Sequence, residues 1–207
     1  IVMNTEEKFW KKTWEEKYPL VEVHHLTKEE FDHGATRRRG AELSDAEILV
    51  FMTQDALPAD RKLIGSLVTA IQENEKVGAA YARQLPKSDC GFLEKYTRSF
   101  NYPSESCLKT EKDLATRGIN AYFCSNVCAA YDHKIYNEIG GFPEHAIFNE
   151  DMIYAGWMVK KGYGVAYVAE ARVYHSHNYS CAQQFHRNFD LGVSQAEHPE
   201  IFEGVPS

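Results

Sequence analysis

Apolar residues along the chain fall in two patterns, short continuous runs and longer stretches with an apolar stripe, and their interleaving predicts strands alternating with helices. Ala46 to Thr53 is the short apolar run of a strand buried on both faces, and it ends at the polar pair Gln54-Asp55. Pro58 to Glu75 reads as a helix with Leu63, Leu67 and Ile71 on one side, followed by a strand over Val77 to Tyr81 that closes on Arg83-Gln84. Upstream, Asn4 to Tyr18 predicts an amphipathic helix capped by Thr5, with Trp10 and Trp14 on one face. Leu20 to Leu26 reads as a strand, and Asp32 to Thr36 as a turn opening a helix through Arg37, Arg38 and Arg39. Downstream, Leu85 to Arg117 is a polar excursion with a helix near Phe92 to Phe100. Asn120 to Tyr131 then predicts a strand, Asp132 to Glu138 a helical turn and Gly140 to Pro143 a loop. Met152 to Lys161 predicts a helix, Tyr163 to Val168 and Ala171 to Tyr174 two strands, and Ser180 to Gly192 an amphipathic segment.

This order predicts an α/β fold with a mostly parallel sheet and helices on both faces, formed as one domain over residues 1–207. The chain opens on Ile1-Val2-Met3, which reads as the end of a buried strand, so the expectation is a fragment of a longer chain lacking the first strand and helix of its fold.

Charge and composition remove several function classes. Acids exceed bases by 30 to 23, a net charge of −7, which disfavours a nucleic-acid partner. No apolar run approaches the roughly 18 residues of a membrane span. The five cysteines are odd in number and scattered, which reads as thiols in a reducing compartment and a cytoplasmic location, with Cys124 and Cys128 as core thiols. Ser180 to Gly192 carries Phe185 and Phe189 beside His186 and Arg187; it reads first as a helix covering the sheet, and second as a peripheral contact with a membrane surface or partner.

Open sheets of this class bind ligands beyond the carboxyl ends of their strands, so the chemistry-bearing candidates are the polar residues that follow strands. Gln54, Asp55 and Arg83 meet that test, as do Asp151 and the alternate pair His175 and His177. Each also has a plain structural reading: Asp55 caps a helix, Glu150 and Asp151 complement a helix dipole, the histidines share a strand face, and Arg37 to Arg39 form a solvated helix face.

The combined order of features resembles inverting family 2 glycosyltransferases of the GT-A fold, in the branch of bacterial rhamnosyltransferases of cell-surface polysaccharide synthesis. The resemblance covers nearly all of the chain. It rests on Phe31-Asp32-His33-Gly34-Ala35-Thr36-Arg37-Arg38-Arg39-Gly40, on Phe51-Met52-Thr53-Gln54-Asp55-Ala56, on Gly140-Gly141-Phe142-Pro143-Glu144 leading to Asn149-Glu150-Asp151, and on Gly162-Tyr163 with Tyr167 to His177. It implies that Asp55 is the last acid of an Asp-x-Asp motif that holds a divalent cation, Mg2+ or Mn2+, against a sugar-nucleotide diphosphate. Thr53 stands where that motif has its first acid. It further implies that Asp151 is the general base with Glu150 as its neighbour, and that a histidine after the last strands completes the metal site, His175 fitting better than His177. Arg37 would approach the nucleotide, with Gln54, Asp55 and Arg83 on the nucleotide-sugar side. The partners so implied are a nucleotide-sugar donor, dTDP-rhamnose first, and a saccharide or lipid-linked saccharide acceptor. The alternatives are another inverting hexosyltransferase with a UDP-sugar, and a non-catalytic carbohydrate-binding domain.

Overall fold

The computed structural model describes residues 1–206. In chain order its elements are β1 (Val2–Thr5), α1 (Lys12–Lys17), β2 (Val23–Leu26), α2 (His33–Glu42), β3 (Ile48–Met52), β4 (Leu57–Pro58), α3 (Leu63–Gln72), β5 (Val77–Leu85) and α4 (Phe92–Asn101). There follow β6 (Cys107–Lys109), α5 (Leu114–Arg117), β7 (Cys128–Asp132), α6 (His133–Ile139), α7 (Glu150–Lys160), β8 (Gly164–Tyr174), α8 (Cys181–Glu197) and α9 (Pro199–Phe202). β1 and β2 pair in parallel as a small separate sheet, and the main sheet runs β3-β7-β5-β8-β4 with β6 also on β8.

Alternation along the central strands supplies two cores. Cys128 and Ala130 of β7, Ala80 and Ala82 of β5, and Ala166 and Val168 of β8 face α3, whose Leu63, Leu67 and Ile71 fill that side. Ala129 and Tyr131, Ala79 and Tyr81, and Val165 and Tyr167 face the opposite side, against Phe142, Tyr154, Met158 and Ile201. The alanines let α3 lie close on its face. The tyrosines fill the other with edge-to-face aromatic contacts, such as Tyr131 with Phe142 at 5.2 Å and with Tyr154 at 5.5 Å.

The α/β assignment stands, but the main sheet is mixed where the sequence pattern predicts a mostly parallel one. Within it only β5 and β8 run parallel; β7 is antiparallel to both β3 and β5, and β4 and β6 are antiparallel to β8. The excursion after β5 explains the reversal. The chain returns through residues 118–127 to the edge where β3 ends, so β7 enters opposite Met52 and runs the other way. This reversal also sets Asn126 and Val127 beside Thr53, whose N–H donates to the Val127 carbonyl at 3.1 Å.

Several local expectations shift for tertiary reasons. Asn4 and Thr5 belong to β1, in register with His25 and Leu26, so the first helix shrinks to α1 while Trp10 and Trp14 still meet edge to face at 5.1 Å. Leu57 and Pro58 pair with β8, which delays α3 to Leu63. Residues 118–122 form a 3₁₀ turn, leaving only Cys128–Asp132 of the predicted strand. The two strands expected over 163–174 are one, with a register shift where Ala82 and Arg83 face Val168 and Arg172. α8 does not cover the sheet with its aromatic face, since Phe185 and Phe189 are 67% and 61% exposed. All five cysteines are unpaired, and Cys124 and Cys128 lie buried as expected.

Asp32 caps α2 by accepting from the Ala35 N–H at 2.8 Å, and the helix start lies tight against the Gly141–Pro143 loop. A Cβ on Gly34 would stand 2.1 Å from the Pro143 carbonyl oxygen, a backbone atom that cannot swing aside. Gly34→Ala is therefore expected to cost about 1–3 kcal/mol of stability through overpacking, lowering the urea midpoint at unchanged slope. Gly192→Ala, with nothing within 4 Å of the added atom, should instead leave the midpoint unchanged or raise it.

Candidate active site

A cleft of about 1000 Å³ opens beyond the carboxyl ends of β3 and β5, walled by the amino ends of α2 and α7 and by the segment following β8. Its lining includes Met3, Arg37, Asp55, Asp151, Tyr179 and Arg187. The parallel pairing of β5 with β8 brings their ends to one edge, where Leu85 faces Tyr174 and the next N–H, that of His175, donates to the Leu85 carbonyl at 3.0 Å.

At that edge three donor atoms converge. Asp55 Oδ2 lies 3.4 Å from His175 Nε2 and 3.2 Å from His177 Nε2. The two Nε2 atoms are 3.1 Å apart. For ligand atoms about 2.0–2.2 Å from a shared cation, separations of about 2.8–3.6 Å correspond to angles between a right angle and the tetrahedral one. The triangle thus has the edge lengths of three neighbouring ligands, and one carboxylate with two imidazoles is a donor set that suits a divalent cation such as Mn2+. Burial, ahead of every charge around it, drives the His175 ring down to about 4, so it is neutral at ordinary pH, the form that coordinates. Burial pushes Asp55 the other way, but the Thr53 hydroxyl and the His175 ring together hold it below the usual carboxylate value, keeping it ionised.

Two further carboxylates enter the cleft at the start of α7. Asn149, just before them, takes the left-handed conformation with φ of 71°, a turn that presents the next two side chains to the cleft. Glu150 is 5% exposed and ion-paired with Arg37 at 2.9 Å, and it also accepts from Asn126 Nδ2 at 3.0 Å. Asp151 accepts from the Asn126 backbone N–H at 2.9 Å and from the Met152 N–H at 2.8 Å. Burial first, and the Glu150 charge second, raise its carboxyl to about 7 against the pull of those N–H groups and of Arg37. The site therefore holds one carboxylate that a guanidinium neutralises and one that gives up its proton near neutrality.

Of the residues that the sequence singled out, Arg37, Gln54, Asp55, Glu150, Asp151, His175 and His177 all line this cleft. Arg83 does not; it turns to the opposite face of β5 and donates through Nε to the Tyr102 carbonyl at 3.2 Å. Strand alternation sends its neighbour Gln84 inward instead. Arg38 bonds the Phe142 carbonyl at 3.2 Å and so ties α2 to the glycine loop, while Arg39 is exposed. Among the cleft residues that the sequence reading does not single out are Gln84, Arg98, Ser125 and Asn126. Gln84 was adjacent to a candidate and separable from it only by strand parity; Asn126 lay inside a stretch read as strand. Among the described residues no helix is long and apolar enough to cross a membrane.

The chain is 42% identical over 182 residues to the O-antigen chain rhamnosyltransferase RfbN of Salmonella typhimurium, covering 87% of this chain and 58% of that protein. It is 40% identical over 177 residues to the O-antigen chain rhamnosyltransferase WbaN of Salmonella anatum, covering 85% and 56%. The chain thus spans less than two thirds of the length of either relative. Among solved structures, the mannosyltransferase PcManGT from Pyrobaculum calidifontis, in complex with GDP-Man and Mn2+, superimposes with a TM-score of 0.65 at 17% identity over 94% of this chain and 51% of that one, which is a shared fold. The Glycosyl transferase family 2 profile matches residues 8–140, well over half of the chain. With that match and two relatives at 40% identity or above, the chain belongs to glycosyl transferase family 2.

Proposed function

We propose that the protein is an inverting glycosyltransferase that moves L-rhamnose from a dTDP-linked donor to a hydroxyl of a cell-surface polysaccharide acceptor at the inner face of the membrane. The observation that carries this reading is that one cleft is lined both by the Asp55, His175 and His177 donor triangle and by the Asp151 carboxylate, whose oxygens accept from the Asn126 and Met152 N–H groups. The rhamnosyl donor is favoured over a UDP-hexose by the likeness to two proteins named as rhamnosyltransferases. A non-catalytic role is disfavoured because a binding site for neutral sugar has no use for a carboxylate whose buried charge is this costly.

Asp55, His175 and His177 would hold a divalent cation, Mg2+ or Mn2+, which when bound supplies Lewis-acid stabilisation to the departing nucleoside diphosphate. The chain's own groups do the rest. Asp151 takes the proton of the acceptor hydroxyl as that oxygen bonds the anomeric carbon, and the bond from that carbon to the diphosphate oxygen breaks with its electron pair leaving on the diphosphate. Attack from the face opposite the leaving group inverts the anomeric centre. Glu150 acts through Asp151, raising its basicity by charge, while Arg37 pairs with Glu150 at 2.9 Å and pulls the Asp151 carboxyl the other way. The amino end of α2 faces the same cleft and favours the anionic half of the donor.

Asp151→Asn in the intact enzyme removes the proton acceptor while nearly preserving shape. Rhamnosyl transfer from dTDP-L-rhamnose should fall by about 10²–10⁴ with the affinity for the donor kept within a few-fold, measured as initial rates beside calorimetric binding. Normal turnover in this variant would reject Asp151 as the base, and a panel of UDP-sugars with and without chelator tests the donor and the cation in the same assay.

The raised carboxyl also fixes two pH dependences. Because the base acts only after losing its proton, kcat/KM should climb with pH through an inflection near 7, and Glu150→Gln should move that inflection to lower pH. In the metal-free protein the sign for stability is opposite to that of an ion-paired acid. The folded state holds this proton more tightly than the unfolded one, so its contribution is full below about pH 4 and is lost as pH rises through about 7. The melting midpoint of the parent should therefore fall more steeply between pH 5 and 8 than that of Asp151→Asn, a difference in slope readable by calorimetry.

A further inference from the structure

The buried amide of Gln84 is 3% exposed and has all of its polar atoms engaged. Its Nε2 donates to Tyr102 Oη at 2.6 Å and to Ser125 Oγ at 2.9 Å. Its Oε1 accepts from Arg98 Nη1 and faces His175 Nδ1 at 2.9 Å. A guanidinium can only donate, so the amide atom it meets must be the oxygen, and the amide cannot be flipped. The His175 nitrogen facing that same oxygen must then carry a hydrogen. In a neutral imidazole this leaves Nε2 as a bare lone pair, and Nε2 is the atom that points at Asp55 Oδ2 and His177 Nε2. Arg98 is itself fixed, since Glu94 Oε1 takes both its Nε and its Nη2 at 2.6 Å. The same Glu94 oxygen accepts the His177 backbone N–H at 3.4 Å, so one relay reaches both histidines.

We infer that Gln84 is a positioning residue for the cation site: held by Arg98 and Glu94, its amide oxygen locks His175 in the tautomer and ring orientation that turn Nε2 to the metal. The inference rests on the proposed metal site of Asp55, His175 and His177 and adds to it the group that selects the ligand atom. Such outer partners of a ligating histidine typically change metal affinity by about 10–100-fold when removed. The amide oxygen faces the His175 ring nitrogen at 2.9 Å, so its effect on the ion passes through that ring.

The test is Mn2+ binding to the full chain without donor, read by electron paramagnetic resonance of the free ion, together with 15N chemical shifts of the His175 ring. Gln84→Leu should weaken Mn2+ binding about 10–100-fold, whereas Gln84→Glu, which keeps an acceptor for Nδ1–H and a partner for Arg98, should bind within a few-fold of the parent. In the metal-free parent, His175 Nδ1 should show the shift of a protonated ring nitrogen and Nε2 that of a bare one. That measurement needs no variant, so it decides even where Gln84→Leu fails to fold. The opposite tautomer, or Mn2+ affinity in a folded Gln84→Leu equal to that of the parent, overturns the role of Gln84. Absence of Mn2+ binding in the parent, or binding indifferent to Asp55→Asn, overturns the metal reading itself, and is told apart because it is seen before Gln84 is touched.

Discussion

Two adjacent carboxylates enter α7 at its buried amino end, and the cleft is organised around keeping their charges apart. Two ionised acids side by side in a low-dielectric pocket would expel one another or share a proton. Here Arg37 reaches from the second turn of α2 to pair with Glu150, and Asn126 supplies a side-chain donor to Glu150 and a backbone donor to Asp151. The remaining imbalance falls on Asp151, whose proton is held to about pH 7. The close seat of α2, which Gly34 permits by having no side chain toward Pro143, is thereby tied to the basicity of a group on a different helix.

The second charged locus follows the same logic with different means. Asp55 arrives on the loop after β3, and the histidines arrive on the segment after β8, beyond the parallel pairing with β5. A carboxylate and two imidazoles within 3.4 Å of one another gather electron-pair donors around one point, which is the electrostatic opposite of the Arg37 and Glu150 pair. The antiparallel entry of β7 matters to both loci. It places Ser125 under the Gln84 amide and Asn126 under the acids, so a single short loop supports the base and the relay behind His175.

Much of this was legible in the residues themselves. The apolar run of β3 ending at Asp55, the turn from Asp32 that opens a helix with its arginines, and the Glu150-Asp151 pair at a helix start are local signals set by chain stereochemistry and short-range hydrogen bonding, and all recur in the fold near where the pattern puts them. The choice between His175 and His177 was not legible, and neither was the division between Arg83 and Gln84. Arg83 and Gln84 are neighbours in a strand whose roles depend on which face the pairing turns inward, whereas His175 and His177 both reach Asp55.

The sequence by itself determined the elements, the family order of motifs and the candidate acids and histidines, because helix caps, apolar period and strand-end polarity act over a few residues. Only the tertiary structure decided the direction of β7, the burial that lifts Asp151, and the amide oxygen that faces His175. Those depend on contacts between segments tens of residues apart, and desolvation and hydrogen-bond geometry do not exist for a side chain until the distant groups that enclose it have arrived.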